Sequence, residues 1–148
     1  MMRWLLCLGL WLTALPVALA AQIDSVRVPE GGGLAAAAGD ARTAWLAHDV
    51  ERLVAASPRV MIQLPGADPA MALGRPQAAA LLDEFLASAE EVEVEVRAAR
   101  EVETGRGYVE LQRRFRVAGT QEIRVQSLLL GYRLGRNGWW LAELRVVG

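Results

Sequence analysis

The chain contains a single histidine, His48, and an aspartate follows it directly. A histidine beside a carboxylate can move a proton, so the pair is the first candidate for catalysis. It also has a structural reading. Val50, Leu53 and Val54 follow at helical spacing, and Asp49 stands where an N-cap carboxylate accepts the free N–H groups of a helix, worth ~1 kcal/mol. His48 falls near the C-terminus of the preceding helix, where partial positive charge is favoured. Neighbours in a tight connection need not face one ligand, and the pair reads as a bend between two helices. A second candidate is Arg113, which interrupts the apolar alternation of "YVELQRRFRV". Buried, its guanidinium can receive a carboxylate on two N–H groups; otherwise its stem lies on apolar neighbours and its head reaches water. Asp83 and Glu84 are acids on a helix, where the solvent face is their ordinary place.

The elements that would position these residues follow from periodicity. Leu34, Ala38, Ala41 and Trp45 share one helix face, and Pro58 ends a second short helix. "RVMIQLPG" alternates with period two, placing Val60, Ile62 and Leu64 on one side. After a loop, "GRPQAAALLDEFLAS" carries an apolar stripe of Ala78, Leu81, Leu82, Phe85 and Ala89, with Pro76 in the first turn. Four alternating segments complete the chain, and the Asn137-Gly138 pair favours a type I′ hairpin before the last. The order is helix, helix, strand, helix and a four-strand meander. That is α+β, with helices on one face of a mainly antiparallel sheet.

This order resembles the nuclear transport factor 2-like superfamily, a curved cone of helices on a sheet. "AWLAHDVERLVAASPRV" matches a stretch common among its members, with His48 in place of their usual glycine and Asp49 matching the aspartate that starts the second helix. "MIQLPG" and "GRPQAAALLDEFL" match two further stretches, and the similarity spans Leu34 to Val147. The resemblance implies a pocket inside the cone and dimers through the sheet. It leaves the reaction open, since the superfamily holds ketosteroid isomerase, dehydratases, cyclases and non-catalytic domains. Ketosteroid isomerase-like enzymes place an aspartate base before a proline at the end of the first long strand. Here that residue is Leu64, which accepts no proton.

If Val60, Ile62 and Leu64 face the helices, continued alternation turns Ile123, Val125, Leu129, Trp140, Ala142 and Leu144 inward too, with Arg100, Arg113, Ser127 and Arg133 as the inward polar positions. No strand carboxylate falls inward on that parity. The expected pocket is therefore lined by Trp45, Ile62, Leu64, Arg100, Arg113 and Trp140, with no catalytic residue assigned. Its expected ligand is a small amphipathic anion. Leu128, Leu130, Tyr132, Leu134, Trp139 and Leu141 fall outward, an apolar face that calls for cover. A homodimer through that face is the expectation.

The N-terminus bounds the compartment. Arg3, an apolar run from Trp4 to Leu15 and the Ala18-x-Ala20 motif have the layout of a secretory signal. We expect residues 1–20 to be removed, 21–33 to form a flexible lead-in and 34–148 to form one domain, periplasmic or secreted. No stable membrane span should remain after cleavage. Removal takes the single cysteine, Cys7, so the core must hold without disulfides. With net charge near zero and no basic tail, nucleic acid is not an expected partner. One histidine and no mature cysteine argue against a zinc site, and no cofactor is expected. The reading is an exported binding or interaction domain. A cofactor-independent isomerase, dehydratase or cyclase, and an accessory subunit of another exported protein, are the alternatives.

Overall fold

A computed structural model describes residues 33–68 and 71–148; the signal segment and nearly all of the lead-in lie outside them. The alanine-rich stretch forms α1 (Leu34–Leu46), which buries Ala38, Ala41, Ala44 and Trp45 at i, i+3, i+6 and i+7. Asp49 caps α2 (Val50–Val54): its Oδ1 accepts the Arg52 N–H at 3.1 Å. β1 (Arg59–Gln63) follows, and a short strand, β2 (Met71–Gly74), replaces part of the expected loop. α3 (Arg75–Leu86) starts with Pro76 in its first turn, and the Gln77 side chain accepts the Gly74 N–H at 2.9 Å. The meander is β3 (Ala89–Glu103), β4 (Arg106–Val117), β5 (Ile123–Gly135) and β6 (Gly138–Val147).

The six strands lie in the order β2-β1-β6-β5-β4-β3. β1 runs parallel to β6 and every other pairing is antiparallel. The helices cover one face of this open sheet, and the core lies between them. In the β5–β6 hairpin the two turn residues are Arg136 and Asn137, and the left-handed conformation falls on Gly138 (φ 112°) alone. The turn is therefore not the type I′ that the Asn-Gly pair suggests.

Strand parity differs from expectation in β5 and β6, and in β3 at its bulges. β4 alternates as expected, with Val109, Leu111, Arg113 and Phe115 inward and buried. β5 is inverted. The β4–β5 connection pairs Arg116 with Ile123, so Leu128 sits opposite Leu111 and Leu130 opposite Val109. A one-residue change in register moves every side chain to the other face. A β-bulge at Ala142 then lets Leu141 and Leu144 both face inward, three residues apart. Leu128, Leu130, Tyr132 and Leu141 are thus core residues, Trp139 packs against that core, and Leu134 is about half exposed. The apolar outer face expected from these six residues does not exist. The outer face carries Ile123, Val125, Leu129, Arg133, Glu143, Arg145 and Val147 instead, apolar and charged side chains together.

Candidate functional site

The inverted parity also redistributes the expected pocket residues. Arg113 is fully buried on the inner face, with Trp45 beside it. Ile62 is in the core and Leu64 is packed against its edge. Arg100 lies on the outer face opposite Tyr108, its guanidinium 5.7 Å from that ring. A bulge between Val96 and Ala98 turns it there. Trp140 pairs with Arg133 and lines the recess beside α1 and α2 at the hairpin end of the sheet. Of the six, Arg113 and Trp45 meet at one place.

That place contains a carboxylate missed by the alternation of "EVEVEV". β3 bulges between Glu91 and Glu93: Glu91 pairs with Phe115, Glu93 with Arg114, and Val92 is the extra residue. Bulges concentrate on edge strands, and β3 is an edge of this sheet. The bulge turns Glu91 inward, next to Arg113. The two side chains are 2 % and 1 % exposed, with Glu91 Oε1 2.6 Å from Arg113 Nη2. His48 reaches the same oxygen from the α1–α2 connection, its Nε2 3.5 Å away. Three rings enclose the guanidinium, with Phe115 at 3.9 Å, Trp45 at 5.4 Å and Phe85 at 5.5 Å. Such cation–π contacts compensate part of the desolvation of a buried cation. A sequence signal for Glu91 did exist in one respect: an inward arginine requires an anion nearby.

The polar capacity of this cluster is incompletely used. Glu91 Oε1 and Arg113 Nη2 form a close ion pair. Arg113 Nε, Nη1 and Nη2, both Glu91 oxygens and the Trp45 indole N–H have no hydrogen-bond partner among the described residues. Burial pushes the Glu91 carboxyl above its ordinary value, while Arg113, His48 and the Trp45 indole hold it partly down. Burial lowers Arg113, and Glu91 opposes that. His48 adopts φ 55°, the left-handed region that favours glycine. A histidine is held there at a backbone cost, and its visible return is the contact with Glu91.

Arg113 also lines a cleft at the open end of the cone, between the end of α3 and the starts of β3 and β5. The cleft holds about 220 Å³, with Phe85 and Phe115 as apolar walls and Arg124 and Gln126 at its rim. Arg124 is paired with Glu122 at 2.7 Å. The Gln126 amide oxygen is buried without a partner among the described residues. A second recess, of about 200 Å³, lies between α1, α2 and the tip of the β5–β6 hairpin. There Asp40 and Arg52 pair with each other at 3.0 Å, so the charges at its rim are already matched. Among the described residues no group of three histidine, cysteine, aspartate or glutamate side chains is placed to hold a metal.

No protein-family model matches the chain, and no curated protein does. Solved structures do. A ketosteroid isomerase-like protein from Erwinia carotovora atroseptica is similar at a TM-score of 0.63 and 18 % identity, over 76 % of this chain and 91 % of that one. A domain of unknown function with a cystatin-like fold from Nostoc punctiforme gives 0.60 at 20 % identity, over 76 % and 72 % of the two chains. A ketosteroid isomerase-like fold from Catenulispora acidiphila, solved in complex with trimethylamine, gives 0.60 at 13 % identity over 76 % and 84 %. Identities this low carry the architecture and not the chemistry. With its helices on an open, mostly antiparallel six-stranded sheet, the chain has the cystatin-like cone fold that these ketosteroid isomerase-like structures share.

Proposed function

We propose that this chain is an exported, non-catalytic binding domain that takes a small amphipathic anion in the cleft at the open end of the cone. The observation that carries this is Arg113. Its guanidinium faces Glu91 through Nη2, and its Nε and Nη1 have no hydrogen-bond partner among the described residues; the residue borders a cleft that Phe85 and Phe115 also line, where a carboxylate head directed at Arg113 would leave its body against those rings. At about 220 Å³, the cleft is smaller than the ~300 Å³ at the lower end of drug-sized sites, which favours a ligand of few heavy atoms. The complex of the Catenulispora protein with trimethylamine supports the use of such a cone for small ligands, although that ligand is a different chemical class. The apolar residues that argued for a homodimer are used in the core, so this reading assigns no role to a second copy.

A second reading has one observation in its favour. Glu91 is an inward carboxylate with a raised pKa beside a histidine, the pairing expected of a general base. Unlike Arg113, it lines neither the cone-mouth cleft nor the α1–α2 recess, so neither of these places a substrate against it. Titration calorimetry of the mature protein with hexanoate, hexylamine and hexanol tests the binding reading. Hexanoate should bind, shifting the amide resonances of Phe85, Phe115 and Gln126. Equal binding of all three, or shifts confined to the α1–α2 recess, would refute it.

A further inference from the structure

Binding an anion beside Arg113 raises a question of charge. The guanidinium is the one fixed cation in the enclosed cluster, and it already faces Glu91. A ligand carboxylate on its free Nε and Nη1 edge would make two anions on one cation, in a site with no bulk water against these atoms. Two carboxylates sharing such a site do not both stay ionised cheaply, and one is driven to take a proton. The neighbours of Glu91 show where the compensating charge can come from. β4 contributes Arg113, α1 contributes the Trp45 indole, and the α1–α2 connection contributes His48. α3 presents the Phe85 ring to the guanidinium. On β3 itself, Glu90 and Glu93 are paired with Arg116 and Arg114. On its solvent side His48 shares a surface recess with Asp49, Glu51 and Asp83. A proton arriving from that side reaches Glu91 through the imidazole without crossing the cleft.

We propose that anion binding at Arg113 is coupled to the uptake of one proton by Glu91, with His48 on the path from solvent, so that Glu91 sets the pH at which the cleft is loaded. This rests on the cleft reading above. It also accounts for His48, since glycine would serve the left-handed position better and could not carry a proton. The proton ends on a Glu91 oxygen, so the carboxylate loses one negative charge, matching the one the ligand brings. Burial already pushes the Glu91 carboxyl up, in the direction that such uptake requires.

The test is calorimetry of the mature protein with hexanoate from about pH 5 to pH 8, with benzenesulfonate, which stays ionised throughout, as control. Both anions should bind more tightly as pH falls, by about tenfold per unit across the coupled range. The heat at a fixed pH should scale with the ionisation enthalpy of the buffer, corresponding to one proton taken up. This second readout needs no variant. Glu91→Gln, which keeps the shape and removes the charge, should bind both anions at every pH and lose the slope. Anion-selective binding with pH-independent affinity and no buffer dependence would overturn the coupling and leave the cleft reading standing. Binding of neither anion at any pH would overturn both.

Discussion

The concave face of the sheet has two unlike halves. In the half that reaches the β5–β6 hairpin, Val109, Leu111, Leu128, Leu130, Leu141 and Leu144 are all at or below 1 % exposure and belong to one apolar core cluster. Each leucine there contributes roughly 1.5–3 kcal/mol by leaving water. In the half at the open end, the same degree of burial is spent on Glu91 and Arg113. A buried ion pair often contributes less than apolar side chains of equal volume, because both charges lose their hydration. One half of the face therefore stabilises the fold, and the other draws on that stability to hold charge where an apolar residue would be simpler. The candidate site lies in the second half.

The largest test of this division is Leu130→Arg. If the leucine faced outward, the substitution would be tolerated, or would separate a dimer. Leu130 instead sits between Val109 and Leu144 with no exposed surface, and an arginine there would be an unpaired charge in the core. Against a net stability of ~5–15 kcal/mol, the variant should not fold. Circular dichroism should show no cooperative melt. A folded, monodisperse Leu130→Arg protein would return β5 to the opposite parity and restore the apolar outer face.

A smaller effect should come from the charged half. Removing one partner of a buried pair leaves the other uncompensated, and Arg113→Met should cost about 3–5 kcal/mol by urea titration. Without Glu91 on the inner face, the same substitution would be expected to stabilise an unliganded protein. The double variant Arg113→Met/Glu91→Leu should recover most of the loss, since it removes both charges and keeps apolar volume. If the double variant is no better than the single, the two residues are not coupled and the charged half is not one unit.

The difference between the halves also explains what was legible in the sequence. The α1 face was readable because it buries residues at a period that sequence spacing states directly, and Asp49 was readable as a cap because capping is local; the α3 face was readable in part, since Ala79 and Leu86 join Ala78 and Leu82 in the core, Leu81 and Phe85 stay half-buried, and Ala89 belongs to β3. Arg113 was readable as inward because β4 is strictly alternating. β5 was not. "IRVQSLLLGYRL" has apolar residues on both alternating sets, so its face was set by how the turn before it pairs Arg116 with Ile123, a register that composition does not encode. Glu91 was hidden for a related reason. The alternation of β3 runs unbroken through Val92, and the bulge there is a property of an edge strand in three dimensions. His48 was half readable: its place in the bend was correct, while its contact with Glu91 depended on that bulge.

The smallest prediction concerns pH, and it separates the halves without disturbing either. Leucines do not titrate, so the contribution of the hairpin half should be the same at every pH. Glu91 should not behave like a surface carboxylate. Its folded pKa lies above the ordinary 4.5 because burial disfavours the ionised form. A group raised in this way binds its proton more tightly in the folded state. The stability it contributes is fully present below pH 4.5 and is lost as pH rises through the raised value. A carboxylate stabilised by its partner would show the reverse sign. Glu91→Gln cannot titrate, so the wild type should lose stability relative to this variant as pH rises through that window, by at most ~1.4 kcal/mol per pH unit. Urea midpoints of the two proteins, measured side by side across the window, read this directly. A difference that grew in favour of the wild type with rising pH would mean that Arg113 and His48 outweigh burial, and that the charged half stabilises the fold as its apolar counterpart does.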